Sequence, residues 1–388
     1  MPIPDGQQYG PGPPGQPRPA RRLARLAWPV LALVAVGLVA LTLVAKLSAP
    51  ARHTLVVAAI PFWNMPHDTA VVLANRKDVN EVSPWIYGLS SAGGIEPMYP
   101  KNLSASIQTD VAKLRAAHMR LVPTLANITG GQWNAAAVSR LLHDPAAERQ
   151  HIDAITSLVT RQKYAGIDID YEELRTADRQ AFTHFVQELA AALHARGKVL
   201  SVAVFPQQGG KSSNPAVTAQ DYAAIGKVAD QVRIMGYGYH WATSPAGATA
   251  PVPWVRSVVG YAKSQMPAAK VVLGIPLFGY DWPDGKASAQ TVSWLEALRL
   301  SRQYHAPPGY DKAMQAPHFT YTAHGKTHTV WFENAASSRA KFQVVQGAQL
   351  AGVYLWMYGY EDPGTWPALH ATLPVSGPGA SSTSKAVP

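Results

Sequence analysis

Short apolar runs alternate with longer amphipathic segments over most of the chain, from Thr54 to Leu373. The apolar runs have the length of buried strands, and the segments between them have the length of helices. We predict strands at Leu55–Ile60, Val82–Leu89, Arg120–Leu125, Gly166–Asp170, Val199–Phe205, Gln231–Met235, Val271–Ile275 and Gly352–Leu355.

The segments between these strands carry apolar residues at a spacing of three to four positions, which predicts helices. The clearest are Asp110–Ala117, Ala177–Ala195, Val252–Lys263 and Ala335–Leu350. Strand-then-helix units repeated in this way are typical of a closed (β/α)8 TIM barrel, with a doubly wound open sheet as the alternative. We therefore predict an α/β fold and assign residues 54–373 to one barrel domain.

One connection, Tyr280–Asn334 between the seventh and eighth strands, is too long for a simple loop. It contains a helix-like piece at Thr291–Arg302 and a hairpin that pairs His318–Tyr321 with His328–Phe332, with Gly325 in the turn. We predict a small α+β insertion over about residues 280–334 that walls one side of the barrel mouth.

The N-terminal residues have a different composition from the barrel. Residues 1–17 are rich in Pro, Gly and Gln, and four arginines precede the predominantly apolar stretch Leu26–Ala45. At 1.5 Å per residue, a helix over this stretch matches a hydrocarbon layer of about 30 Å. We predict a disordered cytoplasmic tail over residues 1–25, a transmembrane anchor over 26–46 and a linker over 47–53.

A cleaved secretory signal peptide is the alternative, because residues 48–51 are mostly small. The apolar part of a signal peptide usually has about 7–15 residues, and this longer stretch favours an uncleaved, single-pass anchor. Basic residues concentrate before the stretch, so we predict a cytoplasmic N-terminus. The barrel is expected outside the cytoplasm under either interpretation, and residues 374–388, rich in Ser, Gly and Pro, are a predicted disordered tail.

The chain has no cysteine, which excludes disulfides and thiolate-bound metals. Its formal net charge is +10, but the basic residues are scattered and no nucleic-acid-binding module is present, so we predict no nucleic-acid partner. The charge indicates a mild preference for anionic surroundings, such as a cell wall. No cofactor is predicted, and nothing in the sequence indicates the oligomeric state.

Three carboxylates alternate along the fourth predicted strand and its end: Asp168, Asp170 and Glu172. Alternate residues of a strand share one face, and the outer face of a barrel strand must be apolar. The three acids are therefore expected to point into the barrel, where repulsion and lost hydration keep one of them protonated near neutral pH. Glu172 falls at the carboxyl end of the strand, where barrels place catalytic groups, and is our candidate general acid.

Two other interpretations of these acids remain open. They could lie on an exposed edge strand, although the isoleucines opposite them argue against that. They could also bind Mg²⁺ or Ca²⁺ through oxygen ligands. No histidine lies near them in the sequence to suggest a transition metal, and we predict no metal site.

The segment Gly166–Glu172 resembles the DxxDxDxE signature of glycoside hydrolase family 18, the chitinase-like barrels. Met235–Trp241 resembles the MxYDYHW segment of that family, Gly274–Trp282 its seventh-strand segment, and Gly352–Pro363 the end of its eighth strand. Four motifs in the family's order make a strong match, although any one of them alone would be weak. The segment Val82–Tyr87 is similar to the spore and cell-wall peptidoglycan hydrolase branch.

The resemblance implies a retaining mechanism in which the substrate's own 2-acetamido group is the nucleophile. Glu172 would act as the acid and then as the base, and Asp170 would hold the acetamido N–H. Tyr237 would hydrogen-bond the acetamido carbonyl, and Asp168 would continue the row of acids. Trp356 would stack against the sugar.

Two positions depart from the family pattern: Ala165 stands where the first aspartate of the signature is expected, and Gly238 follows Tyr237 in place of an aspartate. We expect the first change to shorten any proton relay and the second to remove a polar partner near the acetamide. Glu172 and Asp170 are both intact, so we still predict hydrolysis.

Aromatic residues near the other strand ends suit an oligosaccharide groove, because sugars stack their C–H faces on such rings. Taken singly, each is more often a packing residue. As substrate-binding residues we predict Trp356, Trp63, Tyr87, Trp241, Trp282 and Met235, and Trp85 and Trp133 lie in similar positions.

A tethered enzyme reaches only material near its own membrane, which favours peptidoglycan or a related N-acetylglucosaminyl glycan over free chitin. The predicted partner is thus a polysaccharide that contains N-acetylhexosamine, with the membrane as a second partner through the N-terminal helix. A lectin-like barrel that binds wall glycans without cutting them is the alternative function.

Overall fold

The computed structural model describes residues 53–209, 212–285 and 288–375. Its main sheet contains eight parallel strands: β1 Leu55–Pro61, β2 Glu81–Leu89, β3 Thr124–Ala126, β4 Gly166–Asp170, β5 Val199–Val204, β6 Gln231–Ile234, β7 Val271–Pro276 and β8 Gly352–Trp356. Each strand pairs with the next along the chain, and β8 pairs with β1. The sheet is therefore a closed barrel, which confirms the (β/α)8 prediction and excludes the open sheet.

The third barrel strand differs from its prediction. It is split into Arg120–Leu121 and β3, and both pieces pair in parallel with β2. Pro123 lies between them and has no N–H to donate to a ladder, so the regular pairing is interrupted there. The Pro123 carbonyl still accepts a hydrogen bond of 2.9 Å from the backbone of Asp168.

Helices cover the outside of the barrel, with bounds Met65–Ala74, Ser104–Ala116, Ala135–Leu142, Pro145–Arg161, Arg179–His194, Pro215–Thr218, Tyr222–Val228, Val252–Gln265, Ala335–Ala348 and Thr365–Thr372. Short 3₁₀ turns lie at Phe62–Asn64, Lys101–Leu103, Thr176–Asp178 and Ala268–Lys270, and short extra strands at Ile95–Pro97, Ile128–Thr129 and Gln132–Trp133. The main hydrophobic core lies between the helices and the outward side chains of the strands, such as Ile167 and Ile169 of β4.

The connection between β7 and β8 is a small α+β insertion, as predicted. It is an antiparallel sheet of Phe278–Pro283, Gln290–Ser293, Gly309–Asp311, Ala316–Ala323 and Lys326–Trp331, with the helix Trp294–Gln303. The predicted hairpin is present, and its turn residues His324 and Gly325 have φ of 50° and 71°. Its core contains Val292, Phe319 and Val330.

Within the described ranges, no helix is both long and apolar enough to cross a bilayer. The predicted anchor over 26–46, the tail over 1–25 and most of the predicted C-terminal tail lie outside the described residues.

Candidate active site

The alternation of β4 places its acids as predicted. Asp168 is fully buried in the barrel interior and Asp170 is 8% exposed, while Ile167 and Ile169 pack outward against the helices. Glu172 follows the carboxyl end of the strand and is half-buried. We call Asp168, Asp170 and Glu172 the carboxylate row.

Burial raises the pKa of Asp170 to about 7, and the charge of Asp168 adds to that rise. The pKa of Glu172 is raised well above its ordinary value, first by burial and then by the charges of Asp170 and Glu173. A carboxylic acid therefore stays protonated near neutral pH at the end of β4, as the sequence predicted. A group in this state can donate a proton to a leaving group.

The two oxygens of the Asp170 carboxyl have different surroundings. Oδ2 accepts a hydrogen bond of 3.2 Å from the indole Nε1 of Trp85. Oδ1 is buried and has no hydrogen-bond partner among the described residues. A buried acceptor of this kind costs free energy unless something donates to it. Asp170 is thus ready to accept an N–H from a bound molecule.

The backbone of Glu172 is held by Asn127, a fully buried residue just after β3. Asn127 Oδ1 accepts from the Glu172 N–H at 2.8 Å, and Asn127 Nδ2 donates to the Glu172 carbonyl at 2.9 Å. These two hydrogen bonds fix the backbone of Glu172 and so the point from which its side chain extends. Asn127 was not predicted as a site residue, because its only signal in the sequence was a polar residue at the end of a barrel strand.

Tyr237 is three residues beyond the end of β6 and is half-buried. Its pKa is raised far above the ordinary value by burial, then by Tyr354 and by the charges of the carboxylate row. Its ring meets Phe278 edge-on at 6.0 Å. Tyr237 therefore stays neutral and can donate a hydrogen bond. Met235, also half-buried, directly follows β6.

Four tryptophans at the strand ends form one group, which we call the tryptophan cluster: Trp63, Trp85, Trp133 and Trp356. The ring of Trp85 is at the centre, with centroids 5.7 Å from Trp63, 6.4 Å from Trp133 and 5.9 Å from Trp356. Trp63 is 47% exposed. Flat exposed rings next to acids are typical of a sugar-binding surface.

Three predicted substrate-binding residues lie away from this cluster. The Tyr87 hydroxyl is 2.9 Å from that of Tyr164, which precedes β4 at the opposite end of the barrel from Glu172. The Tyr87 ring packs against the main hydrophobic core, and the pairing of β2 with β3 shifts register between Trp85 and Tyr87. That irregularity breaks the simple alternation along β2.

Trp282 is only 8% exposed and lies in the insertion sheet, with its ring 5.3 Å from that of Tyr280. So little exposed area offers no stacking face, which corrects the prediction for Trp282. Trp241 is 51% exposed after β6, and its indole Nε1 donates to Thr243 at 2.8 Å. It is free to meet a ligand but makes no ring contact with the tryptophan cluster within the described part of the chain.

The barrel interior below the acids contains a charged residue that the sequence analysis did not single out. Arg233 of β6 is fully buried and pairs with Glu81 at 2.6 Å and with Asp168 at 3.2 Å. Thr124 donates a hydrogen bond of 2.9 Å to Asp168. The signal of Arg233 in the sequence was the alternation of polar Gln231 and Arg233 with apolar Val232 and Ile234 along β6.

The two departures from the family pattern have different surroundings. Gly238 has φ of +82°, a conformation that favours glycine, although a side chain there would meet nothing within 4 Å. Ala165 precedes β4, and its N–H donates to the Leu121 carbonyl at 2.9 Å.

As for the metal interpretation, the described residues contain no group of three or more His, Asp or Glu side chains arranged to hold an ion.

Comparisons with known proteins show the family of the chain. The chain matches the model of the glycosyl hydrolases family 18 over residues 51–361. It is 34% identical over 272 residues to the cortical fragment-lytic enzyme of Bacillus anthracis, which covers 67% of this chain and 63% of that enzyme.

Two solved structures share the fold at higher coverage. The spore cortex-lytic enzyme SleL of Bacillus megaterium QM B1551 matches with a TM-score of 0.76 at 27% identity, over 85% of this chain and 76% of that one. A chitinase from Chromobacterium violaceum ATCC 12472 matches with a TM-score of 0.74 at 28% identity, over 82% of this chain and 98% of that one. The protein belongs to glycosyl hydrolases family 18 and is a glycoside hydrolase.

Proposed function

We propose that this hydrolase cleaves glycans with β-linked N-acetylglucosamine by a substrate-assisted, retaining mechanism. The observation that carries the proposal is Oδ1 of Asp170, which is buried and accepts no hydrogen bond from any residue that the structure describes. An acetamido N–H satisfies that oxygen, whereas a sugar without this group leaves it unpaired.

In the first step, protonated Glu172 gives its proton to the glycosidic oxygen, and the acetamido carbonyl oxygen of the substrate attacks the anomeric carbon. The bond to the leaving sugar breaks, and a cyclic oxazolinium ion forms. Asp170 accepts the acetamido N–H and stabilises the positive charge, and the Tyr237 hydroxyl orients the acetamido oxygen. Trp356 lies under the sugar and stacks on its apolar face.

In the second step, the Glu172 carboxylate takes a proton from water, and the resulting hydroxide attacks the same anomeric carbon. The ring of the oxazolinium ion opens, the acetamide is restored, and Glu172 is protonated again. Two inversions at one carbon give net retention. The raised pKa of Glu172 suits this double role, because the group must be an acid in one step and a base in the next.

Peptidoglycan outside the cytoplasm is the substrate we propose. The printed names of the cortical fragment-lytic and cortex-lytic relatives support a wall glycan, although the match covers 63% of the first enzyme. The apolar stretch Leu26–Ala45 supports a membrane anchor that keeps the barrel next to the wall. The net charge of +10 suits an anionic polymer.

The test is incubation of the purified full-length protein with chitin oligomers and with peptidoglycan, followed by mass spectrometry of the new reducing ends. We expect N-acetylglucosamine reducing ends from peptidoglycan with the native protein and none with Glu172→Gln, which should still bind the glycan. Equal binding by both proteins with no product from either glycan would instead support the carbohydrate-binding alternative.

A further inference from the structure

Arg233 is the largest fully buried side chain of the barrel, and its guanidinium reaches three strands. Nη2 pairs with Glu81 of β2 at 2.6 Å, and Nη1 pairs with Asp168 of β4 at 3.2 Å. Nη1 also donates to Ser83 at 2.7 Å, and Nε donates to Gln231 on its own strand at 3.2 Å. A buried guanidinium is stable only when buried groups of opposite charge pair with it.

The two carboxylates that meet Arg233 do not depend on it equally. Glu81 has a second cation, Arg120, whose Nε is 3.0 Å from Glu81 Oε2, and it accepts a further hydrogen bond of 3.1 Å from Gln231. For Asp168, Arg233 is the one cation within ion-pair distance in the described ranges. The guanidinium is therefore the counter-ion of the carboxylate row.

The position of the proton in that row decides whether the reaction can start. Catalysis as proposed needs one proton on Glu172 and a carboxylate on Asp170. A proton that moved down the row to Asp168 would leave Glu172 without one. A guanidinium beside Asp168 opposes that movement, since a nearby cation stabilises the charged form of a carboxyl group.

We propose that Arg233 is a positioning residue that holds the negative charge on Asp168 and so confines the catalytic proton to Asp170 and Glu172. The inference rests on the proposed function, since it concerns the acid of that reaction. Among the described residues, no other strand brings an ionised group within ion-pair distance of the guanidinium. On β8, the Tyr354 ring lies 5.3 Å from it, and burial raises the pKa of the Tyr354 hydroxyl so that it stays neutral.

The main test compares Arg233→Met with Arg233→Lys, using pH profiles of glycan hydrolysis. In Arg233→Met the proton spreads onto Asp168, so we expect kcat to fall about tenfold or more, which corresponds to one pKa unit. KM should change little, because Arg233 is buried away from the mouth. The loss of a cation raises the proton affinity of the coupled acids, and the alkaline limb of kcat/KM should move up by about one pH unit.

Arg233→Lys keeps the positive charge and should restore the position of the alkaline limb. Both variants have reason to fold, because Glu81 keeps Arg120 and Gln231, and Asp168 keeps the hydrogen bond from Thr124. Glu81→Gln is the matched control, because it also breaks a contact of Arg233 but leaves the contact to Asp168. Because this control removes an anion beside Arg233, the proton affinity of the coupled acids should fall or stay the same, so its alkaline limb should not move to higher pH.

If Arg233 had only a structural role, the kcat values and pH limits of the variants would differ from these expectations. Equal loss of kcat in Arg233→Met, Arg233→Lys and Glu81→Gln, with unmoved pH limits, would overturn the inference. A measurement that does not require catalysis tests the role of Arg233 separately from the proposed function. Carbon-13 NMR of the Asp and Glu carboxyl groups at neutral pH should show more bound protons in the carboxylate row of Arg233→Met than in the native protein. Equal proton counts would overturn the inference even if the native protein hydrolysed no glycan.

Discussion

The indole Nε1 of Trp85 donates a hydrogen bond of 3.2 Å to Oδ2 of Asp170. This bond connects the tryptophan cluster to the carboxylate row, so that a ring predicted to line the groove also orients an acid. It stabilises the ionised form of Asp170 and opposes the rise in pKa that burial and Asp168 cause. The other carboxyl oxygen, Oδ1, accepts no hydrogen bond from any residue in the described ranges.

Trp85→Phe removes this donor and keeps an aromatic ring. We expect the pKa of Asp170 to rise further above about 7, because a hydrogen bond to its charged form is lost. Asp170 must be ionised to hold the acetamide, so the acidic limb of the pH profile should move to higher pH. At neutral pH kcat should fall roughly tenfold, as expected for the loss of a hydrogen bond to a charged group.

Trp133→Phe is the control for that change, since Trp133 meets the ring of Trp85 at 6.4 Å and belongs to the same cluster. Its acidic limb should match that of the native protein. A shift of equal size in both variants would mean that ring packing, and not the bond to Asp170, sets the limb.

Asn127→Ala removes both hydrogen bonds that hold the backbone of Glu172. Two buried backbone groups lose their partners, so we expect a loss of about 1–3 kcal/mol in the free energy of unfolding. We also expect kcat to fall tenfold or more while KM changes little, because the acid is displaced from the glycosidic oxygen. Urea denaturation and steady-state kinetics measure the two effects.

Asn134→Ala is the control that separates the positioning of Glu172 from a general loss of protein stability. Asn134 caps the helix Ala135–Leu142 by accepting from the Ala137 N–H at 2.9 Å, and loss of such a cap costs about 1 kcal/mol. This variant should lose stability but keep its kcat. If its kcat fell as far as that of Asn127→Ala, stability alone would explain both results.

Asp68 predicts a pH dependence of stability away from the carboxylate row. Burial, followed by the charge of Glu361, raises the pKa of Asp68 to about 8. The unfolded chain releases this proton near pH 3.9, so the folded state binds more protons between about pH 4 and pH 8. The free energy of unfolding should therefore fall as pH rises through this window, with a slope from Asp68 of at most about 1.4 kcal/mol per pH unit.

Asp68→Asn should flatten that decline and make the protein more stable than the native form at pH 8. Urea denaturation at several pH values between 5 and 8 gives the two slopes. Asp153→Asn, on the exposed face of the helix Pro145–Arg161, should leave the native slope unchanged. If the free energy of unfolding had the same pH slope in all three proteins, the Asp68 proton would not contribute to the pH dependence of stability.

The strands and the acids of β4 were predictable because one rule governs both. A barrel strand covered by helices must be apolar outside, so Ile167 and Ile169 fix the direction of Asp168 and Asp170. The insertion was predictable for a similar reason, since its hairpin has a clear alternation and a glycine turn. Its sheet begins at Phe278, two residues before the predicted start, and continues β7 almost without a break.

Side chains whose surroundings come from distant parts of the chain were not predictable. Arg233 is buried because Glu81, far away in the sequence, lies opposite it in the closed barrel. The alternation along β6 indicates that Arg233 faces the interior, but it does not indicate which residue pairs with it. The placements of Tyr87 and Trp282 have a similar origin, since a register shift in β2 and packing against Tyr280 in the insertion sheet decide where those rings lie.

The most direct measurement of the central claim is the anomeric form of the first product, followed by proton NMR while the native protein cleaves a β-linked N-acetylglucosamine oligomer. Attack by the substrate's own acetamide and then by water predicts that the β-anomer is released first and that the oligomer without acetyl groups is not cleaved. Initial release of the α-anomer, or equal cleavage of the deacetylated oligomer, would contradict the account.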